Sequence, residues 1–140
     1  MELDSFLLAD AASVADGKLY VHGGGITRIA APELPWVHPQ LAIVIRLRLD
    51  PDDLQDKGAT LQVRLFAPDG SFVVPNADVP LPAGQRTPKA EGEEGFAQVV
   101  LTVAPVPFER EGTYLLEVAL DGRPIREMRI PVVLQENVPQ

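Results

Sequence analysis

Apolar and polar positions alternate along most of this chain, and the alternation is sharpest near its end. From Gly112 to Leu120 every second residue is apolar, the run breaks at Asp121-Gly122, and alternation resumes from Ile125 to Leu134. A period of two marks a strand with one buried face. Asp-Gly between two such runs predicts a tight two-residue hairpin, because both turn residues need positive φ. Leu41 to Leu49 is the clearest single strand. Leu41, Ile43, Ile45, Leu47 and Leu49 form one apolar face, and Ala42, Val44, Arg46 and Arg48 form the other.

The same pattern predicts further strands. Leu3 to Ala12 carries apolar residues on both faces, as a buried strand does. Asp16-Gly17 turns the chain into Lys18–His22, Gly23-Gly24-Gly25 interrupts, and Ile26 to Ala30 resumes the strand after a bulge or bend. Pro32, Pro35 and Pro39 make the next segment irregular around Trp36 and His38. Leu61, Val63 and Leu65 line another strand, followed by the turn Pro68-Asp69-Gly70 and a short strand, Phe72 to Val74, stopped by Pro75. Pro80 to Gly95 has no period and is rich in Pro, Gly, Lys and Glu, which predicts a long mobile loop. Phe96 to Val103 is again a strand, closed by Pro105 and Pro107. With no sustained helical period and no internal repeat, the expectation is an all-β chain. About seven to nine short strands would form a single antiparallel β-sandwich domain over residues 1–140.

Composition narrows the setting. At 140 residues and 46% hydrophobic the chain is large enough to bury a core without staples. The absence of cysteine excludes disulfides and thiolate metal sites. Twenty acidic residues against 12 basic give a net charge of -8, which disfavours nucleic-acid backbones and anionic membrane surfaces and favours solubility. No basic segment with an apolar run opens the chain, and Leu41–Ile45, the longest apolar run, is far below the roughly 20 residues that span a bilayer. A cytoplasmic protein is expected.

One segment resembles a known architecture. Arg110-Glu111-Gly112-Thr113-Tyr114-Leu115-Leu116 is similar to the tyrosine corner of immunoglobulin-like sandwiches, with Gly112 and Tyr114 matching. The resemblance implies that the Tyr114 hydroxyl bonds back to upstream backbone. Arg110 stands where antibody domains usually have Asp and Leu116 where they have the second Cys, so a disulfide-bonded antibody domain is excluded and a general Ig-like architecture remains. The whole chain also resembles short bacterial proteins of a family of unknown function. The likeness lies in Leu8-Ala9-Asp10-Ala11-Ala12, Gly17-Lys18-Leu19, Gly23-Gly24-Gly25, Gly112-Thr113-Tyr114 and Asp121-Gly122. It implies a single β domain and no known activity or catalytic residue.

Candidate chemistry is sparse. Gly23-Gly24-Gly25 lacks the Gly-Lys-Ser/Thr and the helix of a phosphate loop, so it reads as a strand bend. Asp50, Asp52, Asp53 and Asp56 share one loop and form a candidate calcium site, although the central Gly and final Glu of an EF-hand are missing. The alternative is a solvated loop with helix-capping aspartates. His22 and His38 show no metal-binding spacing, and Ser5, Ser13 and Ser71 lie in no Gly-x-Ser-x-Gly elbow. No catalytic residue and no cofactor are therefore expected, although a pair of carboxylates meeting in space leaves no trace in sequence.

Arg46 and Arg48 share the polar face of one strand and Arg64 that of the next. If the two strands pair, the guanidinium groups form a basic stripe on an acidic protein, a docking surface for an acidic partner. The alternative is cross-strand pairing with Glu117, Glu127 or Asp50. Trp36, the lone tryptophan, either anchors a partner or sugar or plugs the end of the core. The expected function is a non-enzymatic protein-interaction or assembly module, using an exposed strand edge or the arginine stripe. Self-association is a second route, since Phe66 and Phe72 strain the capacity of one sandwich interior. A small-ligand or calcium-dependent binding domain is the alternative.

Overall fold

The computed structural model describes residues 1–50, 58–81 and 95–138. Among these lie β1 (Glu2–Ala15), β2 (Lys18–Gly24), β3 (Ile29–Ala31), β4 (Trp36–His38), β5 (Leu41–Leu49) and β6 (Ala59–Phe66). They continue with β7 (Ala77–Leu81), β8 (Gly95–Val103), β9 (Val106–Phe108), β10 (Gly112–Leu120) and β11 (Arg123–Leu134), and a short 3₁₀ turn, Gln135–Asn137, follows. The first sheet has the order β2-β1-β5-β8, the second β3-β11-β10-β6-β7, and β4 pairs with β9 in a small third ladder. The fold is an all-β sandwich.

Alternation explains the core. The inward set of β5, from Leu41 to Leu49, faces Leu61, Val63 and Leu65 of β6 and Tyr114, Leu116, Val118 and Leu120 of β10 in one buried cluster. Fully burying each such Leu or Ile stabilises the fold by about 1.5–3 kcal/mol. The Asp121-Gly122 hairpin forms as the sequence predicts, with φ of 50° and 81°. Its turn is also fastened to β6. Asp121 donates its N–H to the Thr60 carbonyl (2.8 Å) and accepts the Thr60 N–H on Oδ1 (2.8 Å), while Gly122 donates to Gln62 Oε1 (2.7 Å).

Several expectations change. The strand count is eleven among the described residues. The surplus comes from β3, β4 and β9, three residues each, too short to show a period. The segment around Trp36 and His38 is therefore not irregular throughout, because Trp36 pairs with Phe108 and His38 with Val106. Nor is the sandwich purely antiparallel. β2 runs through Gly23 and Gly24; Gly25 and Ile26 then both donate to the Leu8 carbonyl (2.9 and 3.1 Å), and the chain crosses to the second sheet, where β3 runs parallel to β11. Residues 26–30 thus do not resume β2. Phe72–Val74 forms an isolated bridge to Phe66 rather than a strand. Of the aperiodic stretch 80–95, Pro80 and Leu81 belong to β7 and Gly95 to β8, and residues 82–94 lie outside the described residues.

The outer face of the first sheet is covered in an unexpected way. Ala9, Ala42 and Val44 point away from the core cluster, yet their exposures are 0%, 0% and 1%. Gln98 of β8 faces the same side and donates from Nε2 to the carbonyl of Gly17, 2.9 Å away, in the β1–β2 turn. That turn lies more than ten residues along β1 from Ser5, which shares its row with Arg46 and Gln98. A straight strand rises about 3.3 Å per residue, so the β1–β2 hairpin must curl back across the sheet to reach β8.

Candidate functional site

The arginine stripe does not form. Its premise was that the strands bearing Arg46 and Arg64 pair, but β5 and β6 belong to different sheets. Each guanidinium instead meets an acid on an adjacent strand. A β-bulge between Leu3 and Ser5 turns Asp4 toward Arg46, 3.0 Å away. The Arg46 guanidinium also lies 3.6 Å from the centre of the Phe96 ring. Arg48 pairs with Glu2, and Arg64 with Glu117 at 3.3 Å, directly opposite it on β10. These pairs hold cross-strand register and are partly exposed, so each is worth a fraction of a kcal/mol.

Trp36 packs at the end of the core, with its ring 5.0 Å from that of His38 in an edge contact. Phe108 continues the stack toward Tyr114, centroids 5.1 Å apart at 89°. Both ring nitrogens of His38 are buried without a hydrogen-bond partner among the described residues. Of the acidic loop, only Asp50 is described, and it lies 3.8 Å from the Met1 amino group. Asp52, Asp53 and Asp56 lie outside the described residues. Among the described residues no three His, Asp or Glu side chains gather as a metal site would need. Phe66 and Phe72 stack outside the sandwich at 5.1 Å, and Phe72 is 55% exposed.

What the topology does assemble is an edge. Four strands border the two large sheets, and three carry devices that discourage further pairing. β7 is five residues long with Pro80 inside it, β3 has three residues and is followed by Pro32, and β2 carries Lys18 and His22. β8 carries none of these: its nine residues, Gly95–Val103, contain neither charge nor proline. One side pairs with β5 along the whole strand, and no described residue pairs with the other.

An apolar groove of about 390 Å³ opens beside this edge, between β8 and the segment Val74–Ala77. Its floor is Ile43, Leu65, Leu116 and Ile130, and its rim includes Leu101 and Val103 from the inward face of β8. Thr102, which alternates with Leu101 and Val103 along β8, is the one polar residue among the described lining. Among the described residues no strand follows β8 in the first sheet, and the groove opens between β8 and the start of β7.

A family model matches residues 4–133. The chain belongs to the family of unknown function DUF6941. No curated protein matches it. Among solved structures, it is similar to an immunoglobulin-like protein from Pseudomonas aeruginosa at 15% identity, covering 94% of each chain with a TM-score of 0.40. It is also similar to a putative beta-galactosidase from Bacteroides fragilis at 18% identity, over 76% of this chain and 17% of that one, with a TM-score of 0.39. No helix among the described residues of this DUF6941 protein is long and apolar enough to cross a membrane.

The edge was only half visible in sequence. The lack of charge from Phe96 to Val103 is legible, but that β8 borders its sheet follows from strand order, which no local pattern encodes.

Proposed function

We propose that this DUF6941 protein is a non-enzymatic, cytoplasmic interaction module that takes up an extended segment of another protein along β8. The observation that carries the reading is the uncharged, nine-residue edge lying beside an open apolar groove. An added strand satisfies the free backbone groups of an edge, and pockets beneath it accept alternate side chains. The net charge of -8 favours a partner with basic residues over a second copy, since two copies repel each other. It equally disfavours nucleic acid and anionic membranes as partners. Arg46, Arg48 and Arg64 have no part in this reading, because Asp4, Glu2 and Glu117 already engage them.

The test compares tagged native protein with Thr102→Lys, a charge placed on an exposed edge position. A captured partner should be lost with the variant and, once purified, should slow hydrogen exchange of the β8 amides. Three results overturn the proposal: capture indifferent to the variant, β8 amides unprotected in the complex, or a co-purifying apolar small molecule occupying the groove instead. Concentration-dependent dimers that protect the same amides would replace the partner with a second copy.

A further inference from the structure

The sheet order specifies what the incoming segment carries. We infer that the groove between β8 and Val74–Ala77 is a specificity pocket, selecting an extended segment with branched aliphatic side chains at alternate positions and basic residues outside them. This rests on the reading of β8 as a docking edge. A strand paired to β8 on the side where no described residue pairs sits about 4.8 Å beyond it, alongside the groove that Val74 and Ala77 line. Successive side chains of a strand point to opposite faces, so every second residue of the segment enters the space between the sheets. There it meets Leu101 and Val103 on one side and Val74 and Ala77 on the other.

The chemistry of that space is selective. Leucine or valine fills it with apolar contact, whereas alanine leaves part of it empty and forgoes the burial. A charged residue loses its hydration there and finds no charged side chain among the described lining residues. Outside the groove the preference reverses, because the net charge of -8 attracts lysine and arginine.

The probes are synthetic peptides in which threonine alternates with a varied residue X between pairs of lysines, titrated against the full chain. Peptides with X as leucine or valine should bind at least about tenfold more tightly than X as alanine, and X as aspartate should not bind. Ala77→Phe fills the groove from β7 without altering β8 and should erase the leucine-over-alanine preference while leaving alanine-peptide affinity in place. Val74→Phe serves the same purpose if Ala77→Phe does not fold. Equal affinity for the leucine and alanine peptides, still abolished by Thr102→Lys, overturns the pocket and leaves strand docking intact. Failure of every peptide to bind overturns the docking edge and the pocket together.

Discussion

Tyr114 donates its hydroxyl hydrogen to the carbonyl of Arg110, four residues upstream, at 2.9 Å. The same arginine is held at its other end, where the guanidinium donates to Asp69 at 2.7 Å. Asp69 in turn accepts the Ser71 N–H (2.9 Å) and the Ser71 hydroxyl (2.6 Å). One tyrosine, buried to 2% exposure, thereby links the entry to β10 with the turn that follows β6. This is the backbone contact that the Gly-x-Tyr resemblance implied.

Tyr114→Phe should keep the ring packing against Phe108 and lose only the hydrogen bond. The expected cost is about 1 kcal/mol in urea unfolding at unchanged m-value. Gly112→Ala should cost more, about 1–3 kcal/mol. Gly112 has a φ of 144°, and a Cβ there would approach Pro68 Cγ to 2.7 Å. A larger loss for Tyr114→Phe than for Gly112→Ala would refute this ranking.

Two carboxylates make stability depend on acid pH. Bonds from the Ser71 hydroxyl and N–H, then the Arg110 charge, hold Asp69 below its ordinary value of 3.8. The Leu134 N–H (2.7 Å) and the Asn137 amide (3.2 Å) do the same for Glu111, whose ordinary value is 4.5. Each folded carboxyl is thus the stronger acid, so its contribution is present above the ordinary value and lost as pH falls through the lower folded one. The double variant Asp69→Asn/Glu111→Gln should melt below the native chain at pH 7, with the gap closing as pH falls below about 4. A gap that stays constant down to pH 2 would contradict this.

His38→Phe should raise stability by about 1 kcal/mol, because it removes two buried ring nitrogens that have no hydrogen-bond partner among the described residues. The aromatic contacts to Trp36 and Phe108 remain available to a phenylalanine ring. Thermal melts of the two chains decide it, and a lower melt for the variant would assign the imidazole a partner.

Gln98→Ala should release the tip of the β1–β2 hairpin while leaving the core intact. Amide exchange across residues 12–21 should quicken, with little change in the global melt. Unchanged exchange there would mean that packing of the hairpin, not the bond to Gly17, holds it across the sheet.

Much of this fold is legible in the alternation, because each long strand buries one face. Leu41–Leu49, the strand of Leu61, Val63 and Leu65, and the Asp121-Gly122 hairpin follow from period and turn chemistry alone. What stays hidden is nonlocal. The three-residue strands β3, β4 and β9 are shorter than two full alternations and exist by pairing with distant partners. Arg46 and Arg64 sit on matching polar faces, but which sheet each strand joins depends on the crossing between them. The covered outer face of β5 was half visible, since Ala42 and Val44 are apolar, yet nothing local says that a hairpin lies over them. The role of β8 is hidden in the same way, since composition describes a strand and only strand order makes it a border.

That strand order also bears on how the chain reaches its native state. β5 waits for β1 on one side and for β8 on the other, and β6 for β10, each dozens of residues away along the sequence. Domains dominated by such distant pairings fold in milliseconds to seconds rather than microseconds. Throughout that interval Phe96–Val103, with no charged gatekeeper within it, is bare on both edges. Crowded refolding should therefore be lost to aggregation at high protein concentration, through the same residues that border the first sheet in the finished fold.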